Sequence, residues 1–193
     1  MSCATLTDQQ LINLYLKGDD KAFETLLVRH KNKIYTSIYL FVKDHDQAND
    51  IFQEVFIKII DTLRKGKYNH EGKFLQWAMR IAYNMCVDQF RRGRRRTKVS
   101  ATETFDIFDV IESPEPNQEH IMIQDQTHSK VKELVDALPP EQREVVILRH
   151  YADMSFKEIA ALTQVSINTA LGRMRYALIN MRKMVDETHM ILQ

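Results

Sequence analysis

The sequence predicts an all-α protein of two small helical domains joined by an acidic linker. Apolar residues recur at helical spacing along nearly all 193 residues, and runs long enough for strands are missing. Charged side chains are unevenly distributed along the chain. Residues 1–98 carry 18 basic and 11 acidic side chains, whereas residues 99–128 carry seven acidic and no basic ones. Residues 129–193 are nearly balanced, with nine basic and eight acidic side chains. We therefore predict domains at 1–98 and 129–193 and a linker at 99–128.

The N-terminal domain is predicted from successive amphipathic helices. Its clearest apolar stripe keeps a 3-4-3-4 rhythm for four turns. The stripe consists of Ala48, Ile51, Phe52, Val55, Phe56, Ile59, Ile60 and Leu63. A basic stretch with glycine, Arg64 to Lys73, interrupts the pattern. A further helix then runs from Phe74, is expected to end at Gly93 within an arginine cluster, and carries Trp77 on its core face.

In the C-terminal domain, helical periodicity resumes after Pro139, and Pro140 suits the first turn of a helix. Ser155 and Glu158 have the spacing of a capping box, which predicts a short helix from residue 156 to about residue 162. Ser166 can cap the next helix, whose inward side chains are Ala170, Met174, Ala177 and Met181. This order, with small Ala160 at the crossing, fits a helix-turn-helix motif, although any two linked amphipathic helices share the pattern.

Several classes of protein do not fit the sequence. No run approaches the roughly 18 apolar residues of a membrane span, and the first residues lack the order of a secretory signal. We therefore expect a cytoplasmic protein without membrane insertion. Cys3 and Cys86 show no metal-ligand spacing, and neither a phosphate loop nor a supported nucleophile is found. No catalytic residue, metal or cofactor is predicted.

Two sets of motifs resemble a known family. The runs Asp46 to Phe56 and Phe74 to Asn84, followed by Asp88 and the arginines from Arg91 to Arg96, resemble the second conserved region of bacterial sigma factors. The runs 138–146 and 155–160 resemble the start of the fourth region. Because the intervening third domain is missing, the chain is most similar to the extracytoplasmic-function (ECF) sigma factors. The resemblance implies a transcription initiation factor that binds core RNA polymerase, directs it to promoters and assists melting of the −10 element.

The resemblance also implies three interfaces. The β′ clamp helices of polymerase would contact Asn49, Asp50, Gln53, Glu54 and Ile57. The −10 element would contact Lys65, Lys67, Tyr68, His70, Lys73, Arg80, Asn84, Asp88, Arg91, Arg92 and Arg95. The −35 element would contact Ser166, Asn168, Thr169, Arg173, Arg175 and Tyr176. The implied partners are core polymerase, through its clamp helices and β flap, promoter DNA, and in some members an anti-sigma factor.

The residues themselves support these interfaces. Polar side chains around one apolar residue suit a protein interface, although a solvated helix face is the alternative. A basic loop with an aromatic residue can hold phosphates while a base stacks or is flipped out. Arginine pairs with guanine and asparagine with adenine in the major groove.

Some positions depart from the family pattern. Gln164 replaces a glycine common in the turn, so that a left-handed conformation is expected for a non-glycine residue. Gly172 lies inside the second helix of the motif. Tyr176 and Leu178 stand where the family often has arginines, which puts the −35 preference in doubt.

Two other functions are compatible with the residues. A stand-alone helix-turn-helix regulator, with a ligand-sensing or dimerising first domain, would bind duplex DNA by itself and would not need Asp50, Gln53 or Glu54. A protein-interaction adaptor would leave the arginine cluster without a purpose.

The acidic linker has two interpretations, a solvated spacer or a mimic of RNA phosphates. Its six regularly placed carboxylates are Glu103, Asp106, Asp109, Glu112, Glu115 and Glu119.

Overall fold

The computed structural model describes residues 5–69, 72–95 and 130–188, with side chains from 5 to 187 except at 93–95. Helices dominate these ranges and no strand occurs in them, which confirms the all-α prediction. The predicted acidic linker, Cys3, His70 and Arg96 lie outside the described residues. No helix in the described ranges is long and apolar enough to cross a membrane.

The chain divides into two compact units. The first comprises Met1–Lys98 and Leu148–Ser155, and the second comprises Val99–Ile147 and Phe156–Gln193. The second unit therefore holds both helices of the predicted helix-turn-helix motif.

Four helices build the first unit. They are α1 (Asp8–Leu16), α2 (Asp20–Val42), α3 (His45–Arg64) and α4 (Phe74–Arg95). Side-chain oxygens cap the first three, because Thr7, Asp19 and Asp44 each accept a hydrogen bond from a backbone N–H of the first turn, at 3.3, 3.1 and 2.8 Å. These local signals place the helix starts, and burial of one apolar face of each helix forms the core.

The end of α4 differs from the prediction. The helix does not stop at Gly93 but continues to Arg95. A glycine inside a helix costs only about 1 kcal/mol relative to alanine. The neighbouring arginines are good helix formers, and five turns of packed helix precede Gly93, so this cost does not end the helix.

A buried polar cluster joins α1 to α2. The Asp8 carboxylate lies 2.8 Å from Nε2 of His30 and 2.6 Å from the guanidinium of Arg29. His30 is 7% exposed, and its Nδ1 has no hydrogen-bond partner among the described residues. Burial lowers the pKa of His30 below its ordinary value of 6.5, against the opposing effect of Asp8, while Arg29 and Lys33 lower it further. Burial therefore favours the neutral form of the His30 imidazole.

We expect the first unit to lose stability in mild acid because of this histidine. The unfolded chain takes up the His30 proton first as the pH falls, so the stabilisation is complete above about 6.5 and is lost as the pH drops through the lower folded-state pKa. Thermal unfolding between pH 7.5 and about 5.5 should show a falling midpoint that His30→Gln flattens. His150→Gln, at an exposed histidine, is the control and should keep the wild-type slope; an unchanged slope in His30→Gln would contradict this assignment.

Residues 130–136 are helical, and they are followed by α5 (Pro140–His150), α6 (Phe156–Thr163) and α7 (Ile167–Thr188). All of these residues belong to the second unit except the last three of α5. Pro140 occupies the first turn of α5 as predicted, and α6 begins at the predicted residue and ends within one residue of the predicted end. The Ser166 hydroxyl accepts a hydrogen bond from the Thr169 N–H at 3.0 Å, which confirms the predicted cap of α7. In the turn, Gln164 adopts the expected left-handed conformation, with φ of 58°.

Candidate protein and nucleic-acid interfaces

Helix α3 separates apolar from polar side chains as predicted. Ala48, Val55 and Ile59 are fully buried. On the opposite face, Asp50, Gln53 and Glu54 are exposed and Asn49 is partly exposed. Ile57 lies in the middle of this polar row with 66% of its surface exposed, the largest exposed fraction among the large apolar side chains of the described residues. The α3 face, formed by residues 49, 50, 53, 54 and 57, is thus a polar surface around one apolar side chain.

Two basic residues at the C-terminal end of α3, Arg64 and Lys65, bond to side chains of the helical scaffold. Nζ of Lys65 lies 2.7 Å from the Asp61 carboxylate, and this hydrogen bond lowers the pKa of Asp61. Nε of Arg64 donates to the Tyr15 hydroxyl at 3.1 Å. Lys67 and Lys73 are exposed. The start of the basic loop is therefore anchored to α3 and α1.

Tyr68 lies on an aromatic cluster. Its ring centroid is 4.4 Å from that of Trp77 and 6.3 Å from that of Phe74, which is 1% exposed. Trp77 in turn packs 5.8 Å from Phe74, so part of its ring joins the core as predicted, but the side chain remains half-buried. Tyr68 and Trp77 thus form a partly exposed aromatic surface that packs against the buried ring of Phe74.

One face of α4 carries the predicted polar residues. Arg80, Asn84, Asp88 and Arg91 are all exposed, at spacings of four, four and three residues. This spacing places them in one row, roughly 16 Å long at 1.5 Å per residue. Arg91 lies 3.7 Å from Asp88, and both are largely exposed. Arg92 is exposed as well, and the side chain of Arg95 lies outside the described residues.

The helix-turn-helix of the second unit presents most of its predicted residues to solvent. Ser166, Asn168, Thr169, Arg175 and Tyr176 are exposed, whereas Ala170 and Ala177 are fully buried on the opposite side of α7. Ala160 of α6, at the predicted crossing with α7, is 4% exposed. The small side chain there allows the two helices to approach closely.

Arg173 differs from the other predicted residues of α7. A guanidinium nitrogen lies 3.3 Å from the Glu144 carboxylate of α5, and only 25% of the Arg173 side chain is exposed. The neighbouring Asn180 donates to Gln142 at 2.8 Å, so this flank of α7 is held against α5 by polar contacts. Arg173 is therefore part of the packing between helices as well as a candidate for contact with DNA.

Sequence reasoning missed two apolar residues on the exposed side of α7. Ile167 is 46% and Leu171 44% exposed, next to the polar residues of the first two turns. A signal was available, because both fall outside the inward spacing of residues 170, 174, 177 and 181.

A redox or metal role finds no support at the described cysteine. Cys86 is 1% exposed, and burial raises the pKa of its thiol to about 12. The thiol therefore stays protonated and unreactive near neutral pH.

Comparison with known proteins agrees with this arrangement. Residues 26–96 match the family model of sigma-70 region 2, and residues 128–175 match that of sigma-70 region 4. The chain is 32% identical to the RNA polymerase sigma-H factor of Pseudomonas aeruginosa over 86% of its own length and 87% of the relative. It is 31% identical to the ECF RNA polymerase sigma-E factor of Escherichia coli K12, over 87% of this chain and 88% of the relative.

Two solved structures share the fold. One is CnrH in complex with the cytosolic domain of CnrY, with a TM-score of 0.61, 20% identity, and coverage of 94% of this chain and 99% of that one. The other is the Bartonella quintana sigma factor RpoE in complex with the anti-sigma factor NepR, with a TM-score of 0.61, 18% identity, and coverage of 86% and 98%. The two family matches, with the sigma-H and sigma-E relatives, show that the chain belongs to the ECF sigma factors, transcription initiation factors that direct bacterial RNA polymerase to promoters.

Proposed function

We propose that the two units divide the work of this sigma factor. The domain at 1–98 binds the β′ clamp helices through the α3 face and takes hold of the −10 element through its basic loop and α4. The domain at 129–193 reads the −35 element with α7 and contacts the β flap, and residues 99–128 link the two. The protein works in the cytoplasm, without catalysis and without a cofactor.

The observation that carries the polymerase contact is the exposure of Ile57. An isolated exposed aliphatic residue is ordinary on a protein surface. Here it lies among Asp50, Gln53 and Glu54, an arrangement that matches an apolar interface centre with a polar rim. Burial of Ile57 against the partner would supply affinity, and the surrounding polar groups would supply orientation.

For the −10 element, the aromatic surface of Tyr68 and Trp77 is the feature that supports melting. A base that leaves the duplex loses its stacking, which costs a few kcal/mol. Stacking on an aromatic side chain returns about 1–3 kcal/mol per base, and exposed Lys67, Lys73 and Arg80 can hold the phosphates. Melting without ATP is therefore energetically feasible at this surface.

An anti-sigma factor is a further partner that we propose. The Bartonella quintana sigma factor with the same fold was solved in complex with one. A protein partner over the α3 face would compete with polymerase for Ile57, which would hold the sigma factor inactive until release.

The test of the proposed function needs no promoter. The purified chain should co-elute with bacterial core RNA polymerase in size-exclusion chromatography. Changing Asp50, Gln53 and Glu54 together to alanine should weaken co-elution, by about tenfold in affinity if the rim contributes some 1.4 kcal/mol. Because all three side chains are exposed, the circular-dichroism spectrum should stay that of the wild type.

Either alternative would give a different result. A folded chain that ignores polymerase but binds duplex DNA tightly by itself would be a stand-alone regulator. A chain that binds neither would contradict both DNA-directed functions and favour the interaction adaptor.

A further inference from the structure

The first two turns of α7 combine apolar and polar side chains on one exposed surface. Leu171 follows Asn168 by three residues and precedes Arg175 by four, and side chains at these spacings are neighbours on a helix. Leu171 is 44% exposed, and the other two are exposed as well. A leucine thus lies between two residues that can form hydrogen bonds with DNA bases.

Gly172, the residue after this leucine, has open space where a side chain would begin. A Cβ atom built on Gly172 would meet nothing within 4 Å, so the glycine is not required by packing within the protein. A glycine inside a helix costs about 1 kcal/mol relative to alanine. A close approach of another molecule to the helix backbone at this point would explain its presence.

Arg173, the arginine nearest to Leu171 in sequence, forms an ion pair with α5 and does not lie freely on this surface. It pairs with Glu144 of α5 at 3.3 Å, with 25% and 22% of the two side chains exposed. Turning Arg173 toward a guanine would break this ion pair and leave Glu144 without it. The exposed surface around Leu171 is therefore poorer in guanine-reading groups than the sequence suggests.

We propose that Leu171 reads the 5-methyl group of a thymine in the −35 element, beside an adenine read by Asn168. The inference rests on the proposed role of α7 at that element. In the major groove, thymine alone among the four DNA bases presents a methyl group, and apolar side chains recognise it by contact. Asn168 can pair with N6 and N7 of adenine. The preferred −35 sequence therefore contains an A·T-rich step where Leu171 and Asn168 meet the base edges.

The experiment uses holoenzyme reconstituted from the full chain and bacterial core polymerase. The holoenzyme selects DNA from a library of duplexes randomised over both promoter elements, and the enriched sequences are read. The wild type should enrich thymine and adenine at neighbouring −35 positions. Leu171→Ala should lose the thymine preference alone, and Asn168→Ala should lose the adenine preference.

A second measurement isolates the methyl group. Each thymine of the enriched −35 site is replaced in turn by deoxyuridine, which lacks only the 5-methyl group. One replacement should weaken wild-type binding about fourfold, the equivalent of about 0.8 kcal/mol for a buried carbon. The same replacement should leave Leu171→Ala binding unchanged. Leu16→Ala removes an exposed leucine from α1, which belongs to the first unit, and is the control that should retain the wild-type response.

The possible outcomes separate the inference from the function on which it rests. Thymine enrichment that persists in Leu171→Ala, or a wild type indifferent to deoxyuridine, would overturn the reading by Leu171 while leaving −35 recognition intact. A holoenzyme that forms but enriches no −35 sequence would contradict the role of α7, and the inference with it. Loss of the thymine preference together with the deoxyuridine response in Leu171→Ala would establish the contact.

Discussion

Replacing Ile57 with aspartate is expected to weaken binding of the chain to core RNA polymerase by about 100-fold or more. Burial of an isoleucine side chain contributes about 1.5–3 kcal/mol, and a carboxylate at the same place would be buried without a partner. Each 1.4 kcal/mol corresponds to a factor of ten in affinity. Titration of the fluorescently labelled chain with core polymerase measures the change directly.

The control for Ile57 is Val28→Asp on α2. Val28 is 56% exposed and lies outside the α3 face, so the same change of side-chain class should leave polymerase affinity close to that of the wild type. Both positions are exposed, so both variants should keep the free energy of unfolding within about 0.5 kcal/mol of the wild type, as surface substitutions usually do. Wild-type affinity of Ile57→Asp would remove α3 as the polymerase contact.

Replacing Phe74 with alanine is expected to lower the free energy of unfolding of the first unit by about 3–5 kcal/mol. The ring is 1% exposed and lies between His30, at 5.4 Å, and the Tyr68 and Trp77 rings. Its removal leaves a cavity beneath the basic loop. Domains are stable by only about 5–15 kcal/mol, so the loss is a large share of the total. Urea denaturation followed by circular dichroism measures it.

Two further variants test whether the loss of stability comes from the volume and the burial of the Phe74 ring. Phe74→Leu keeps most of the volume and should cost less than about 1.5 kcal/mol. Phe90→Ala removes the same ring from the same helix where it is 50% exposed, so it should cost much less than Phe74→Ala. Equal losses for Phe74→Ala and Phe90→Ala would show that Phe74 is not the support of the aromatic cluster.

Local features of the fold could be predicted because they depend on residues close in sequence. The cap at Ser166 and the start of α6 depend on contacts within one turn, and the left-handed Gln164 follows from the short turn between two helices. The apolar stripe of α3 was predicted because its period is the period of the helix itself. The prediction that α4 ends at Gly93 was wrong, because the cost of a glycine in a helix, about 1 kcal/mol, is small beside the stabilisation of the packed turns before it.

The candidate interfaces, like the fold, were predictable where they depend on the periodicity of a single helix. Periodicity determined which face of α3 and of α4 would meet solvent, and therefore that Ile57 would be exposed among polar residues. Family motifs added the partners, which no single helix pattern contains. The exposure of Leu171 beside Asn168 was missed, although the inward spacing of α7 already placed Leu171 outside the core face, and the structure shows it.

Contacts between residues far apart in sequence were decided by the tertiary structure alone. Arg173 pairs with Glu144, 29 residues away, and His30 with Asp8, 22 residues away. Tyr68 lies on Trp77 only because the chain turns back after α3. The sequence by itself determined the helices, their polar faces and the family, since these depend on spacing along one helix or on linear motifs. Tertiary packing decided which charged and aromatic side chains remain available to a partner. Contacts such as that of Arg173 with Glu144 join two distant segments, and a pattern along one helix does not encode which segments meet.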